Sequence, residues 1–480
     1  MVMESKSAFQ RVLAMRQAGT ASAASAVLGA ILLLLAVLEV PARGADPADV
    51  ETLKAKALIL IGTLGAEKGP AWDKTVSELA ALARQEKGIV PMLVGALGDP
   101  DPRIRAGVAS ALGLSRSAEK EVFSSLVKAA SGDTEAEVRR NAIYALSMLR
   151  QEGTEVFSTL IQTLSDPDAG VRRASVHGIG RLGLAAKEIV PALVKVLGDP
   201  DGDVQFDASW ALGCLNATGT ARALVDALES PDARVRQGAA MAFDFGAFRP
   251  GTEAFVIPAL IKALGDEDAR VRSRAALALG RNRPEIRQAV PALIKALSDP
   301  DGDVRSSAAI SLSWIGSEAK EVVLALVKAL GDPEARVRRD AAYALGSGAT
   351  EAIPALIKNL SDPDAGVRMY AARALGRIGP AAKEAVPTLV RNLSDADPAA
   401  RRGAAYGLAG MGPDARLAVP AFIKALSDAE EYVRRDSADA LGAIGPEAKD
   451  AIPELERLAK DEESWTVREA AQGALKKIRK

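Results

Sequence analysis

Cysteine, histidine and aromatic residues are scarce in this sequence. Cys214 is its one cysteine, His177 is its one histidine, and only 4% of the 480 residues are aromatic. A disulfide within the chain and a CxxC redox or metal motif are therefore excluded, and so is an iron site built from several histidines. The sequence predicts no cofactor, and we interpret Cys214 as a small packing residue.

An excess of charge of either sign is also missing. The 61 lysines and arginines nearly balance the 62 aspartates and glutamates, which gives a net charge of −1. This balance provides no general attraction to nucleic acid, so no nucleic-acid partner is predicted. The motifs GxxxxGKS/T, GxSxG and HExxH do not occur either. We therefore predict that the protein is not an enzyme, with no catalytic residues and no small-molecule substrate.

A long uncharged run occurs only near the N-terminus. Residues 1–16 form a basic lead and residues 17–38 carry no charge; as a helix, the uncharged run would reach roughly 33 Å, enough to cross a bilayer. We predict a membrane anchor within residues 17–40 and a linker at residues 41–50, with the rest of the chain extracytoplasmic. The alternative is a signal peptide cleaved near Gly44, which would leave a secreted or periplasmic protein.

A short pattern repeats along most of the chain. An apolar residue followed by arginine comes shortly after an acidic turn at twelve places, which are 30 to 36 residues apart and most often 33. A fixed period of this length indicates a solenoid of stacked helical repeats. The twelve positions, with glutamine in place of arginine at one of them, are Ile104-Arg105, Val138-Arg139, Val171-Arg172, Val204-Gln205, Val235-Arg236, Val271-Arg272, Val304-Arg305, Val337-Arg338, Val367-Arg368, Ala400-Arg401, Val433-Arg434 and Val467-Arg468.

Each repeat has the signals of two helices joined by a turn. In the repeat around Val304, Pro291 suits the first turn of a first helix, and Pro300 ends that helix because proline cannot continue its hydrogen bonds. Asp301 is then a favourable N-cap for the second helix. An acidic residue stands at this place, four positions before the arginine, in eleven of the twelve repeats. The spacing predicts an ion pair within the helix or to a neighbouring repeat.

The pattern VPALIKALSDPDGDVRSSAAISL at Val290–Leu312 resembles HEAT repeats, in particular the short kind called PBS-lyase HEAT-like. The resemblance covers residues 86–480 and implies an all-α solenoid of about twelve helix pairs, with the second helices along a concave face. We expect capping helices at residues 51–85 and a C-terminal cap at about 451–480. Because many functions share this fold, we keep two hypotheses: a protein-interaction scaffold, and an accessory or lyase-like subunit of an enzyme system.

One row of side chains is larger than an outward position requires. With the apolar residue of each second helix numbered zero, positions 0, +4, +7, +8 and +11 face the core, while +2, +6 and +9 face away. Position +9 is mostly glycine, which would leave large neighbours uncovered. The row at position +6 includes Tyr144, His177, Trp210, Met241, Leu277, Ile310, Tyr343 and Tyr406. The residues at position +2 that flank it include Arg140, Arg173, Phe206, Arg339 and Arg402.

We predict that this row is a groove for a segment of a partner protein, apolar in its middle and acidic toward its ends. Exposed aromatic residues beside arginine are typical of binding hot spots, and a continuous apolar surface patch usually marks a binding site. In three repeats an arginine precedes a tyrosine by four residues, which places both on one face of the helix. The alternative is that neighbouring repeats cover the row and make it core.

The centre of the chain departs most from the repeat. Phe206, Trp210, Phe243, Phe245 and Phe248 occur there, and the arginine and the closing glycine of the repeat are lost. A local break in a pattern often marks a functional site or strain. Two interpretations are open: an aromatic binding site, or an aromatic plug that fills an irregular joint between repeats.

Overall fold

The structure is a computed structural model that describes residues 47–117, 119–149, 154–182, 189–215, 219–248, 250–281, 286–315 and 319–480. Every regular element within these ranges is helical, and no β-strand is found among them. The predicted all-α class is therefore confirmed. The chain forms two compact units, Met1–Gly183 and Leu184–Lys480, which we call the N-terminal and C-terminal units.

The α-helices follow one another as pairs, so that from α3 onward the odd numbers are first helices and the even numbers are second helices. Those of the N-terminal unit are α1 (Pro47–Leu64), α2 (Pro70–Gln85), α3 (Val90–Ala96), α4 (Pro102–Ser115), α5 (Lys120–Gly132), α6 (Ala136–Leu149), α7 (Thr154–Thr163) and α8 (Ala169–Leu182). Those of the C-terminal unit are α9 (Ile189–Val196), α10 (Gly202–Cys214), α11 (Thr220–Ala227), α12 (Ala233–Ala242), α13 (Glu253–Ala263), α14 (Ala269–Arg281), α15 (Val290–Ala296), α16 (Gly302–Ile315), α17 (Lys320–Ala329), α18 (Ala335–Ala344), α19 (Ile353–Asn359), α20 (Ala365–Ile378), α21 (Val386–Asn392), α22 (Pro398–Met411), α23 (Val419–Ala425), α24 (Glu431–Ile444), α25 (Ile452–Asp461) and α26 (Trp465–Ile478).

Shorter helical segments complete the repeats. A π-helical turn, Phe243–Ala247, follows α12. Turns of 3-10 helix precede several first helices, at Lys87–Ile89, Ile286–Ala289, Thr350–Ala352, Gly379–Ala385, Gly412–Ala418 and Gly445–Ala451. Within each unit, successive second helices pack side by side, as the repeat predicts.

The repeat around Val304 shows why this sequence folds as a helix pair. The side chain of Asp301 accepts hydrogen bonds from the backbone amides of Asp303 and Val304, at 2.8 and 3.3 Å. These bonds satisfy amides that have no partner inside α16, so Asp301 is the expected N-cap. Val304, Ala308 and Leu312, at positions 0, +4 and +8, are fully buried. The predicted core face of the second helix is therefore correct.

The glycines at position +9 lie between neighbouring second helices, which corrects their predicted outward orientation. A Cβ atom added to Gly376 on α20 would stand 2.9 Å from the Cα of Gly407 on α22. One added to Gly113 on α4 would stand 2.6 Å from the Cα of Ala145 on α6. Real Cβ atoms do not approach backbone so closely, because the repulsion is too strong. Position +9 is therefore a packing position that lets the second helices come together.

Most second helices are joined to the turn of the next repeat by a buried ion pair. We call these ion pairs together the Arg–Asp ladder. The arginine at position +1 contacts the acidic residue five positions before the next apolar residue. The link to a neighbouring repeat was one of the two predicted pairings, but its partner is this acid and not the one four positions before the arginine. The shortest N–O distances are 2.7–2.8 Å in the aspartate pairs and 3.0 Å in the one glutamate pair. The pairs are Arg105–Asp133 and Arg139–Asp166 in the N-terminal unit, and Arg236–Asp266, Arg272–Asp299, Arg305–Asp332, Arg338–Asp362, Arg368–Asp395, Arg401–Asp428 and Arg434–Glu462 in the C-terminal unit.

The same guanidinium group closes the turn of its own repeat. Nη1 of Arg272 donates to the carbonyl oxygens of Asp266 and Glu267, at 2.9 and 3.1 Å. Its Nε and Nη2 atoms hold Asp299, and only 13% and 10% of the two side chains are exposed. Burial raises the pKa of the Asp299 carboxyl, but the bonds from Arg272 and from the Asp301 amide outweigh it, so the pKa lies below its ordinary value. The joint therefore contains a charged carboxylate with all its partners.

At one place both ladder positions are uncharged: Gln205 stands for the arginine and Ser230 for the acidic residue. We call this pair of positions the neutral rung. Where other repeats have arginine, Nε2 of Gln205 donates to the carbonyl oxygens of Leu197 and Arg234, at 2.7 and 2.8 Å. Where the next turn would supply an acidic residue, the sequence has Ser230. Because the acid is replaced together with the arginine, neither of the two positions carries a charge that needs a buried partner.

The predicted membrane-anchored, extracytoplasmic location is corrected. Within the described ranges, no helix combines the length and the apolar character that a bilayer span requires. The residues of the predicted anchor, 17–40, and the predicted cleavage site near Gly44 lie outside those ranges. The first described helix, α1, begins at Pro47, inside the predicted linker. The described helices therefore contradict the predicted membrane-anchored location.

Arg272→Ala is expected to destabilise the C-terminal unit, because it leaves the Asp299 carboxylate buried without its cation. Removing one partner of a buried pair costs about 3–5 kcal/mol, and slight exposure reduces the expected loss to about 2–3 kcal/mol. Arg270→Ala is the matched control, since Arg270 lies on the same helix, 69% exposed, and pairs with Asp268. Thermal unfolding followed by circular dichroism should show a large decrease in Tm for the first variant and a small one for the second.

A double variant tests whether the unpaired charge of Asp299 causes the loss of stability, as distinct from the loss of the Arg272 side chain. Arg272→Gln with Asp299→Ser introduces the residue types of the neutral rung at this joint. It is expected to recover a large part of the stability that Arg272→Gln alone loses, because no unpaired carboxylate remains. Equal melting temperatures for the single and the double variant would show that the buried carboxylate is not the cause of the loss.

Gly376→Ala is expected to destabilise the protein, by about 1–3 kcal/mol, because the new methyl group forces α20 away from α22. Gly473 on α26 is the matched control, since a Cβ added there has nothing within 4 Å. At that position alanine should stabilise the helix by about 0.5–1 kcal/mol relative to glycine. The measurement is Tm, and shifts of the same sign would contradict the packing role of position +9.

Candidate functional site

In the N-terminal unit the predicted row is only partly open to solvent. Tyr144 on α6 and His177 on α8 are half-buried, and so are Arg140 and Arg173, which were predicted to flank them. Arg140 forms an ion pair with Glu137, one turn earlier, with 3.5 Å between Nη2 and Oε1. This unit therefore exposes less of the row than its sequence suggests.

In the C-terminal unit the row contains three well-exposed aromatic side chains. Trp210 on α10, Tyr343 on α18 and Tyr406 on α22 are 50%, 44% and 43% exposed. Leu277 on α14 and Ile310 on α16, between the tryptophan and the tyrosines in chain order, are half-buried. Exposed aromatic side chains at the same helical position of several repeats are a candidate binding surface.

Met241 is a core residue, which corrects its predicted exposure. It stands just before the last residue of α12 and is 3% exposed. The π-helical turn Phe243–Ala247 follows at once and packs against α10 and α14, so the end of α12 lies inside the unit. Met241 precedes this turn, so its burial comes from what packs around the end of α12 and not from a change in the helical period.

The aromatic residues at the centre divide between core and surface. Phe243 is 1% exposed and meets Phe248 edge to face, with 6.4 Å between the ring centroids. Phe206 is 47% exposed and meets Phe245 edge to face, at 5.2 Å. Phe243 therefore fills the joint as a plug, while Phe206 and Trp210 form an aromatic surface on α10. The plug interpretation describes Phe243, and a binding site at the exposed residues stays a prediction.

The π-helical turn reaches α10 because Gly213 has no side chain. A Cβ added to Gly213 would stand 2.6 Å from the Cβ of Phe245. Gly246, inside the turn, has a φ of 111°, which residues with a side chain rarely adopt. Cys214, the next residue of α10, is exposed, which corrects its interpretation as a packing residue.

The tyrosines of the row stack with arginines of neighbouring helices. The guanidinium of Arg373 on α20 lies over the ring of Tyr406 on α22, 4.8 Å from its centroid. The guanidinium of Arg377 on α20 lies 5.7 Å from the centroid of Tyr343 on α18. Tyr343 also meets Tyr370 of α20 edge to face, at 5.6 Å. These contacts hold the rings upright on the surface and are favourable cation–π and aromatic pairs.

The arginines predicted to flank the row have other partners. Arg402 lies over the ring of Tyr432 on α24, at 4.7 Å from the centroid, and its Nε is 3.3 Å from Asp436. Nε of Arg339 is 3.5 Å from Asp340. The stacked pairs could have been predicted from the repeat length, because residues about 33 positions apart occupy equal places on adjacent second helices.

The groups on this surface are aromatic rings, phenol hydroxyls and guanidinium groups. Such groups bind apolar side chains, hydrogen-bond acceptors and anions. In the part of the chain that the structure describes, no group of three or more His, Cys, Asp or Glu side chains is placed to hold a metal ion. The chemistry of this surface is suited to recognition of a ligand.

Comparison of sequences gives one family. A sequence model of the HEAT repeats matches five stretches of the chain, at residues 73–147, 157–244, 257–346, 323–409 and 386–476. No curated protein matches the chain.

Comparison of structures gives importin-type proteins. Yeast importin-beta (Kap95p) is similar with a TM-score of 0.61 and 12% identity, over 90% of this chain and 70% of that one. Kap95p with RanGDP gives 0.60 and 15%, over 88% and 66%. Kap121p bound to Pho4p gives 0.57 and 15%, over 88% and 53%. This chain thus spans about half to two thirds of the length of these proteins, and identities this low show the fold alone.

Trp210→Ala and Tyr343→Ala are expected to lower the stability only slightly, by about 1 kcal/mol or less, because both side chains are about half exposed. Phe243→Ala is the contrasting variant: it removes a buried ring, which typically costs about 3–5 kcal/mol. Thermal unfolding should place the first two variants near the parent and the third far below it. A large decrease in Tm for Trp210→Ala and Tyr343→Ala would show that the row is core.

Proposed function

The chain belongs to the HEAT repeat family, and we propose that it is a non-catalytic scaffold that binds a segment of a partner protein along the second helices of its C-terminal unit. The proposed site consists of the exposed residues Phe206, Trp210, Tyr343 and Tyr406, with the half-buried Leu277 and Ile310 between them and Arg339 and Arg402 beside them. The subtype of HEAT repeat is not part of this proposal. The alternative of an accessory or lyase-like subunit rests on the sequence resemblance alone.

One observation carries the proposal. Trp210, Tyr343 and Tyr406 occupy the same helical position in three repeats, and each is 43–50% exposed. The apolar core of these three repeats is complete without them, since positions 0, +4 and +8 are buried in each, so the fold itself does not require large rings there. Exposed Trp and Tyr with Arg beside them are the residues that contribute most to protein interfaces.

The half-buried residues of the N-terminal unit are not included in the site. Tyr144 and His177 expose less surface than Trp210, Tyr343 and Tyr406 do in the C-terminal unit. Solved structures with this fold include a Kap95:Nup1 complex and Kap121p bound to Pho4p. Both are complexes between two proteins, which supports a protein as the partner class.

Trp210→Ala and Tyr343→Ala are expected to weaken peptide binding without unfolding the protein. Peptides would be selected from a displayed library of random sequences on the full chain, and their affinity for each variant measured by fluorescence anisotropy. Truncation of an aromatic anchor typically costs about 2 kcal/mol or more of binding free energy, which is about thirtyfold in Kd.

The matched control is Leu324→Ala. Leu324 is 52% exposed but lies on α17, a first helix, outside the proposed site. This variant should bind the selected peptides as the parent does. Peptides that bind equally to the parent and to Trp210→Ala and Tyr343→Ala, but lose affinity for Leu324→Ala, would place the binding surface on the first helices and contradict the proposal.

A further inference from the structure

Two neighbouring second helices of the C-terminal unit carry unbalanced charge. The sequences of α20 and α22 contain five arginines and no aspartate or glutamate. The Arg–Asp ladder uses two of these arginines, and Arg402 pairs with Asp436 on α24. The two that remain are Arg373 and Arg377, one helical turn apart on α20. Neither forms an ion pair with a carboxylate of the described residues.

The surroundings hold both arginines at the surface. Nη2 of Arg377 donates to the carbonyl oxygens of Tyr343 and Leu345, at 2.7 and 2.6 Å. Arg373 rests on the ring of Tyr406 and makes no hydrogen bond within the described residues. Partial desolvation of its head group, together with the nearby charge of Arg373, lowers the pKa of Arg377. A bound anion would offset the repulsion between the two guanidinium groups.

Tyr343, Tyr370, Arg373, Arg377 and Tyr406 form what we call the tyrosine–arginine patch. Both arginines are exposed, and a guanidinium presents a planar fork of donors that matches the two oxygens of a carboxylate. The rings beside them provide apolar surface, and their hydroxyl groups provide further donors. The patch therefore offers two unneutralised cations within an aromatic frame.

The chemistry changes on either side of the patch. On five successive second helices, from α16 to α24, position +6 is occupied by Ile310, Tyr343, Arg373, Tyr406 and Asp439. Toward α16 this position holds the apolar Ile310, and toward α24 it holds the acidic Asp439. A ligand that is acidic along its whole length would meet a like charge at Asp439.

We infer that the tyrosine–arginine patch binds a carboxylate side chain of the partner segment, with apolar residues of the same segment lying toward α16. This inference rests on the proposed function and adds the chemistry of the partner. Packed helices lie about 8–10 Å apart, and an extended chain advances about 3.3 Å per residue, so about three residues separate contacts on successive helices. The segment therefore carries an Asp or Glu with apolar residues about three and six positions to one side.

A peptide fits this surface better than a polynucleotide does. Nucleic acid presents a negative charge at every phosphate and needs an extended basic surface. The two free cations are confined to one helix; on α24, Asp436 is paired with Arg435, and Asp439 stands at position +6. The net charge of −1 provides no long-range attraction for a polyanion.

The test uses a displayed library of random twelve-residue peptides, selected on the full chain. We expect the enriched peptides to share one acidic position with apolar residues about three and six places away. Arg373→Gln should bind such a peptide about tenfold more weakly in fluorescence anisotropy, and should not discriminate between it and its Glu→Gln counterpart. Selection on Arg373→Glu should enrich lysine or arginine in place of the acid, a change that a purely structural role of Arg373 cannot produce.

Two controls define the remaining outcomes. Arg391→Gln changes an exposed arginine on the first helix α21, where it bonds to Thr388, and should leave the acidic preference unchanged. Inorganic phosphate should not displace the peptides at equal concentration. This inference is overturned if the enriched peptides show no acidic preference, or if the preference is still found with Arg373→Glu. Displacement of the peptides by phosphate overturns it as well. In each of these cases the proposed function is unaffected. A selection that enriches no peptide overturns the proposed function itself.

Discussion

The structure depends most on one side chain that does two tasks in each repeat. The arginine at position +1 of a second helix closes its own turn through Nη1 and holds the acidic residue of the next turn through Nε and Nη2. Arg272, between Glu267 and Asp299, is an example. Because turn geometry and stacking use the same guanidinium, a repeat acquires its correct turn and its neighbour together. The two changes at the neutral rung, Gln205 and Ser230, show that the arginine and the acid are needed as a pair.

The close packing of second helices determines where large side chains can stand. Glycine at position +9 brings neighbouring helices close together, as at Gly376 and Gly407, and positions 0, +4 and +8 are filled by the core. The outer part of the helix has room for bulky residues, and Trp210, Tyr343 and Tyr406 stand there. There they contact equivalent places on adjacent repeats, as Arg373 contacts Tyr406. The same restriction that compacts the core thus collects the aromatic and cationic groups on one surface.

Local signals in the sequence were sufficient for the helix pairs, the turns and the core face of each second helix. Contacts between repeats were harder to predict, because they depend on the offset between neighbouring helices, which a single repeat does not contain. For this reason the sequence predicts a link between repeats without identifying its acidic partner, and it predicts the glycines at position +9 on the outside. Met241 lies in the core because the end of α12 and the π-helical turn that follows it pack inside the unit, and Arg377 lies outside the rows considered. The predicted membrane location depended on residues 17–40, which lie outside the described ranges.

The neutral rung gives one joint a different response to acid from that of the others. Elsewhere in the C-terminal unit, the ladder carboxylates of Asp299, Asp362, Asp395 and Asp428 have pKa values below the ordinary 3.8. The contribution of these four carboxylates to stability is present above the ordinary pKa and is lost as the pH falls through the lowered values. Gln205 and Ser230 carry no acidic group, so the hydrogen bonds of Gln205 persist when those carboxylates are protonated. The bonds that tie the helix carrying Phe206 and Trp210 to the carbonyl of Arg234 therefore differ from the ionic contacts of the same unit in their response to acid.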